Sequence, residues 1–132
     1  MTIKLNHTIV ASRDKKVSSA FLTQLFELPA AFAFGPFLCV QLANEVTLDF
    51  IDSDGEINPQ HYAFLISEQE FDVIYGRIQS QKITYWADPG QRHANAINTR
   101  DGGRGLYFED PSGHLLEILT RPYGSGGYDG KA

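Results

Sequence analysis

Cysteine is almost missing from this chain of 132 residues. Cys39 stands alone, so no intrachain disulfide can form, and a cytoplasmic location is the natural reading. Cys39 lies in the apolar stretch PFLCVQLA, which suits a packed structural thiol better than a nucleophile. Positive charge is also in short supply. Lys and Arg number 11 against 16 Asp and Glu, a formal net charge of −5, and the basic residues are scattered. That excludes a broad basic surface for nucleic acid. No apolar run approaches the roughly 20 residues that span a bilayer. The opening MTIKLNHTIV lacks the charged-then-apolar order of a secretory signal. Neither nucleic acid nor membrane is therefore expected as a partner. What remains is an ordinary globular composition, 42% hydrophobic and 20% charged, and a length that fits a single domain over 1–132.

The apolar periodicity changes along the chain in a pattern that occurs twice. Residues 3–11 alternate as a strand. Residues 14–28 follow with a helical stripe of Val17, Phe21, Leu25 and Leu28, capped by Ser12 or Asp14 and stopped at Pro29. AFAF, FLCVQLA and EVTLDFI then read as three short strands. The second half begins with the strand HYAFLI. A capping box at Ser67 and Glu70 opens a helix over about 68–81, with Phe71, Ile74 and Ile78 as its stripe. The strands ITYWA, RGLYFED and HLLEILT complete it, with a polar loop at 88–103 between the first two. The order strand, helix, three strands is thus repeated, which predicts an α+β fold of two tandem βαβββ modules. Module one covers about 1–57 and module two about 58–122, and a Gly-rich tail over 123–132 is expected to be mobile.

The repeat places like residues on like. NHTIVASRDKKVSSAFL laid on QHYAFLISEQEFDVIYG sets His7 on His61, an offset of 54, and VTLDFI laid on HLLEIL sets Asp49 on Glu117, an offset of 68. The 14 extra residues fall largely in the 88–103 loop. Each half therefore offers a histidine early in its first strand and a carboxylate midway through its last. Imidazole and carboxylate together are divalent-metal ligands. Strand alternation puts Glu117 opposite Leu116 and Ile118, Asp49 opposite Leu48 and Phe50, and His61 opposite Tyr62 and Phe64. The bulky faces would pack on the helices, and the opposite faces would line a cavity. A lone histidine at a strand start is usually a surface group. Four candidates at duplicated positions make a stronger case than any one of them. His93, in the polar loop, and His114, after a turn, have no duplicated counterpart, and His114 reads as structural.

With these residues in view, the sequence resembles the vicinal oxygen chelate superfamily of glyoxalase I, extradiol dioxygenases, fosfomycin-resistance enzymes and bleomycin-binding proteins. The resemblance runs from LNHTIVASRD through HYAFLISEQEFDVIYGRI to GGRGLYFEDPSGHLLEILTRP, nearly the whole chain, and the YFEDPSGHLLEI stretch is its most specific part. It implies a glyoxalase-like curled mixed sheet around a central cavity and, as in many members, a homodimer. The positions matching the metal ligands are His7, His61 and Glu117. Asp49 matches a fourth, glutamate position of glyoxalase-type members, where its shorter side chain would serve as a ligand, as a base or as a support for a ligand. Glu117 and Asp49 are the implied catalytic carboxylates. The implied cofactor is a divalent ion, Ni, Zn, Mn or Fe(II), and the implied substrate a small metabolite with two adjacent oxygens. Tyr62, Tyr85, Trp86 and Arg92 are candidates for substrate contact, Trp86 and Arg92 foremost.

Three functions stay open at this point. The first is a metal-dependent lyase, isomerase or dioxygenase. The second is a metal-free protein that sequesters an antibiotic, against which the full His7, His61, Glu117 set argues. The third is a non-catalytic sensing subunit. No arginine–lysine clamp for a phosphonate and no glutathione-binding set is recognisable.

Overall fold

The chain is described by a computed structural model that covers residues 1–125. The elements alternate as the repeat requires: β1 (His7–Ser12), α1 (Lys15–Phe26), β2 (Phe32–Phe34), β3 (Phe37–Gln41) and β4 (Thr47–Asp52), then β5 (His61–Leu65), α2 (Glu68–Ser80), β6 (Tyr85–Trp86), β7 (Gly105–Glu109) and β8 (Leu115–Leu119). They fall into two compact units, one of Met1–Asn58 with Asp110–Ser112, the other of Pro59–Glu109 with the described residues from Gly113 on. Each unit holds one four-stranded mixed sheet. The strand orders, β1-β4-β3-β2 and β5-β8-β7-β6, are the same, with the outer strand parallel to its neighbour and the others antiparallel. The fold is α+β, two tandem βαβββ modules. No helix among the described residues is long and apolar enough to cross a membrane.

Register carries the duplication down to single residues. In unit one, Ile9, Asp49, Cys39 and Phe32 form one row across the sheet. In unit two the equivalent row is Ala63, Glu117, Tyr107 and Trp86. The offsets are the 54 and 68 of the sequence comparison, and the extra residues lie between β6 and β7. Because side chains alternate, the rows one residue away point to the opposite face. These are Val10 with Phe50 and Leu48 with Val40 in unit one, and Ile118 with Leu106 and Leu116 with Phe108 in unit two. All eight are buried.

The helices start where chemistry allows. Asp14 caps α1 by accepting from the backbone N–H of Lys16 and Val17, and Ser67 and Glu70 close a reciprocal capping box on α2. The stripe of α2 is Phe71, Ile74 and Ile78, as the spacing indicates. In α1 the buried face is instead Ser18, Ser19, Leu22, Thr23 and Leu25, while Val17 is 53% exposed. Small hydroxyl residues let α1 lie close to β1, β3 and β4, and the Ser18 hydroxyl meets that of Ser112 at 3.1 Å. α1 ends at Glu27, which takes a left-handed conformation (φ 54) and donates its N–H to the Thr23 carbonyl, before Pro29 is reached. Residues 3–6 lie outside β1, which begins at His7 opposite Thr47, the first residue of β4; the Asn6 carbonyl accepts the Thr47 N–H at 3.1 Å. Ile3 and Leu5 are exposed.

Cys39 is buried on β3. Burial, reinforced by the neighbouring Asp49 carboxylate, pushes its thiol up to about 11.

Two predictions follow from this architecture. Asp14→Ala and Ser67→Ala should each lower unfolding free energy by about 1 kcal/mol in urea titrations, the usual worth of a side-chain N-cap. Because the thiolate is the reactive form, Cys39 in folded protein at pH 8 should react with a thiol reagent at least about 100-fold more slowly than in urea-unfolded protein, a two-unit shift in thiolate fraction. Asp49→Asn should raise the folded rate.

Candidate functional site

Glu117 sits at the centre of β8 with 2% of its surface exposed. Its strand is otherwise Leu and Ile, so the carboxylate has been removed from water and depends on specific donors. β5 runs parallel beside it and brings His61, two residues before Ala63, onto the same face. His61 Nε2 lies 3.0 Å from Glu117 Oε1. The imidazole is about half exposed, so the pair is open on the histidine side. The sequence-predicted partners His61 and Glu117 are thus brought together.

The other carboxylate oxygen is met by a residue the sequence does not announce. Tyr123 donates its hydroxyl to Glu117 Oε2 at 2.5 Å. The Tyr107 hydroxyl lies 2.9 Å from that of Tyr123, and Arg100 Nη1 donates to Tyr107 at 3.1 Å and to Tyr123 at 3.4 Å. Burial and the bond to the Glu117 carboxylate hold the Tyr123 hydroxyl well above the ordinary phenol range, so it stays a donor. A second anchor ties the segment down, since Gly124 N–H donates to the buried Asp101 carboxylate. Composition assigns 123–132 to a mobile tail. Tyr123 departs from that assignment through these bonds, while 126–132 lie outside the described residues. The signal for Tyr107 was available, because strand pairing puts it directly opposite Glu117. Tyr123 and Arg100 lie in loops whose path no periodicity encodes.

The remaining candidates are placed as follows. Trp86 is opposite Tyr107 in the same row as Glu117 and is half-buried, so it belongs to the face of the site. Arg92 donates its Nε and its backbone N–H to Asp88. The Asp88 carboxylate also accepts from His93 N–H and so pins the start of the polar loop. His114, 1% exposed, accepts the Gln60 N–H at 3.0 Å. Tyr62 lies edge-on to the His114 ring, and Tyr85 shares a hydroxyl contact with Tyr75.

In unit one, Asp49 occupies the position of Glu117 and is equally withdrawn, at 9% exposure. Its Oδ1 is buried with no hydrogen-bond partner, a state that calls for a missing donor or cation. His7, at the position of His61, is exposed and bonded through Nδ1 to the Asn6 side chain at 2.8 Å. Among the described residues, no three His, Cys, Asp or Glu side chains are grouped closely enough to hold a metal ion. What the donor set does show is a buried carboxylate beside an imidazole in one unit and an orphaned carboxylate oxygen in the other. Both fit a divalent cation.

No family profile matches the chain. Two solved structures are close in both sequence and shape. One, named Oxidase ChaP-H2, is 60% identical over 96% of this chain and 100% of its own, with a TM-score of 0.94. The other, Oxidase ChaP-H1, is 53% identical over 94% of this chain and 100% of its own, with a TM-score of 0.92. Among curated proteins, the metallothiol transferase FosB of Lysinibacillus sphaericus is 31% identical over 126 residues, 91% of this chain and 84% of the relative. A likeness carried through the full length of both modules is one of descent as well as of shape, and this chain is an enzyme that belongs to the vicinal oxygen chelate superfamily.

Proposed function

We propose that the protein is a divalent-metal-dependent oxidase acting on a small metabolite that presents two adjacent oxygens. The observation that carries the metal is the Glu117 carboxylate, buried in an apolar strand with its Oε1 beside His61 Nε2. The choice of oxidation over lyase or isomerase chemistry is supported by the 60% identity to a protein named an oxidase over its whole length. His61 and Glu117 are the ligands this reading assigns in unit two, and His7 is kept as a candidate ligand by its duplicated position in unit one. Imidazole with carboxylate is a donor set suited to Fe(II), and equally to Mn, Ni or Zn. When bound, such an ion supplies Lewis acidity toward a chelating substrate and, as iron, access to dioxygen.

Further residues are assigned separate tasks. Asp49, with a free buried oxygen, is assigned the proton transfer from a substrate hydroxyl. Trp86 offers a half-buried indole on the Glu117 face for a planar substrate. Arg92 is assigned a part at the mouth of the site on the exposed side of the polar loop. The protein is proposed to work in the cytoplasm as a homodimer, which the superfamily resemblance supports. The 31% identity to a metallothiol transferase supports a second reading, metal-dependent thiol transfer.

Elemental analysis of protein purified without added metal and again after loading with Fe(II), Mn, Ni or Zn should find about one ion per chain. Glu117→Gln and His61→Ala should each weaken binding by at least about tenfold in chelator competition with an unchanged far-UV circular dichroism spectrum. A wild-type protein that retains no ion under any loading would overturn the metal reading. Oxygen uptake by Fe(II)-loaded protein with catechols and α-hydroxyketones separates the two chemistries, since consumption of an added thiol without oxygen uptake would favour transfer. Asp49→Asn should reduce turnover by about 100-fold or more, the usual worth of a general base, with its metal content intact. Loss of the metal instead would make Asp49 a ligand.

A further inference from the structure

The hydroxyl groups next to Glu117 have a direction that the geometry fixes. Arginine has donors and no acceptor. Arg100 Nη1 therefore donates to the Tyr107 hydroxyl, which frees the Tyr107 proton for Tyr123. The Tyr123 hydroxyl accepts it and gives its own proton to Glu117 Oε2. Every link runs from the guanidinium toward the carboxylate, and none can reverse while arginine stays protonated. Tyr107 is 2% exposed, so water does not compete for its hydroxyl. The last link, at 2.5 Å, is a charge-assisted bond of the short, strong kind.

We propose that the Arg100–Tyr107–Tyr123 chain is a positioning device. It commits Glu117 Oε2 to the protein and leaves Oε1, beside His61 Nε2, as the single carboxylate oxygen offered to a metal. This rests on the metal reading above and adds to it the reason the site stays open. A carboxylate with both oxygens free tends to claim two coordination positions. One held by a tyrosine claims one, and the vacated position is what a chelating substrate or a water needs. Tyr107, Tyr123 and Arg100 are positioning residues in this scheme. They act through Glu117, and the oxygen they leave free faces the histidine.

The test uses Mn(II) alone as the probe. Water-proton relaxation of the Mn(II)-loaded protein reports how many exchangeable waters the ion keeps. Tyr123→Phe removes the last donor and keeps the ring; with one oxygen of the buried Glu117 left unmet, it should lower the thermal midpoint of the metal-free protein by a few degrees while the far-UV circular dichroism spectrum stays that of wild type. The expected result is about one fewer bound water per ion in Tyr123→Phe than in wild type, with Mn(II) affinity equal or higher. Arg100→Gln, which removes the head of the chain and keeps both rings, should move the water count in the same direction. Equal relaxivity in wild type and Tyr123→Phe, both carrying the ion, would overturn the positioning role and leave the metal reading standing. A wild type that takes up no Mn(II) or any other divalent ion would overturn both.

Discussion

A carboxylate taken out of water at the midpoint of an apolar strand must be met by donors, and the second unit is arranged around that requirement. Glu117 is met from two directions. His61 comes from the parallel neighbour β5, and Tyr123 comes from the segment just beyond β8, backed in turn by Tyr107 of the antiparallel neighbour β7. The charge behind the last two is Arg100. A one-residue slip of β8 would turn Glu117 into the hydrophobic face and bring Leu116 or Ile118 to the site in its place. The polar network and the apolar core thus specify the same register, each penalising the error that the other would also penalise.

The first unit repeats this arrangement with different contents. Its row of Ile9, Asp49, Cys39 and Phe32 is the row of Ala63, Glu117, Tyr107 and Trp86 shifted by the repeat. Where the second unit has a tyrosine that hands a proton onward, the first has a thiol, a weak donor, and one oxygen of its carboxylate goes without a partner. The duplicated backbone has been kept while its two carboxylates have been given unequal surroundings.

The fold was legible in the sequence because it is written in periodicities. Alternation marked the strands, Ser67 and Glu70 marked a helix start, and the repeat joined His7 to His61 and Asp49 to Glu117. Elsewhere local rules were outweighed by packing. In α1 the apolar stripe holds at Leu25 and fails at Val17, which is exposed, because close approach of the helix favours the small Ser18 and Ser19. Residues 3–6 have strand composition, yet β4 starts only at Thr47, opposite His7, and ladder pairing begins there. At the site, the half supplied by strands could be read, and the half supplied by loops could not. Arg100 precedes a left-handed residue, Asp101 at φ 56, and Tyr123 follows a proline among glycines. Their meeting at Glu117 is a property of the folded chain, with no trace in their spacing.

The connection between β6 and β7 gives the repeat a further meaning. It carries the extra residues of the second half, yet β6 still pairs with β7 at the position β2 takes against β3. Asp88, accepting from Arg92 and His93, closes the loop on itself near its root. Length has been added there without cost to the register of the sheet. Its far end is not free to change, because Arg100 and Asp101 lie there and hold Tyr107, Tyr123 and Gly124 beside Glu117, so only the stretch nearer β6 can be exchanged with the donors of Glu117 left in place. One connection thus carries added length at the end nearer β6 and a fixed charge, Arg100, at the end nearer β7.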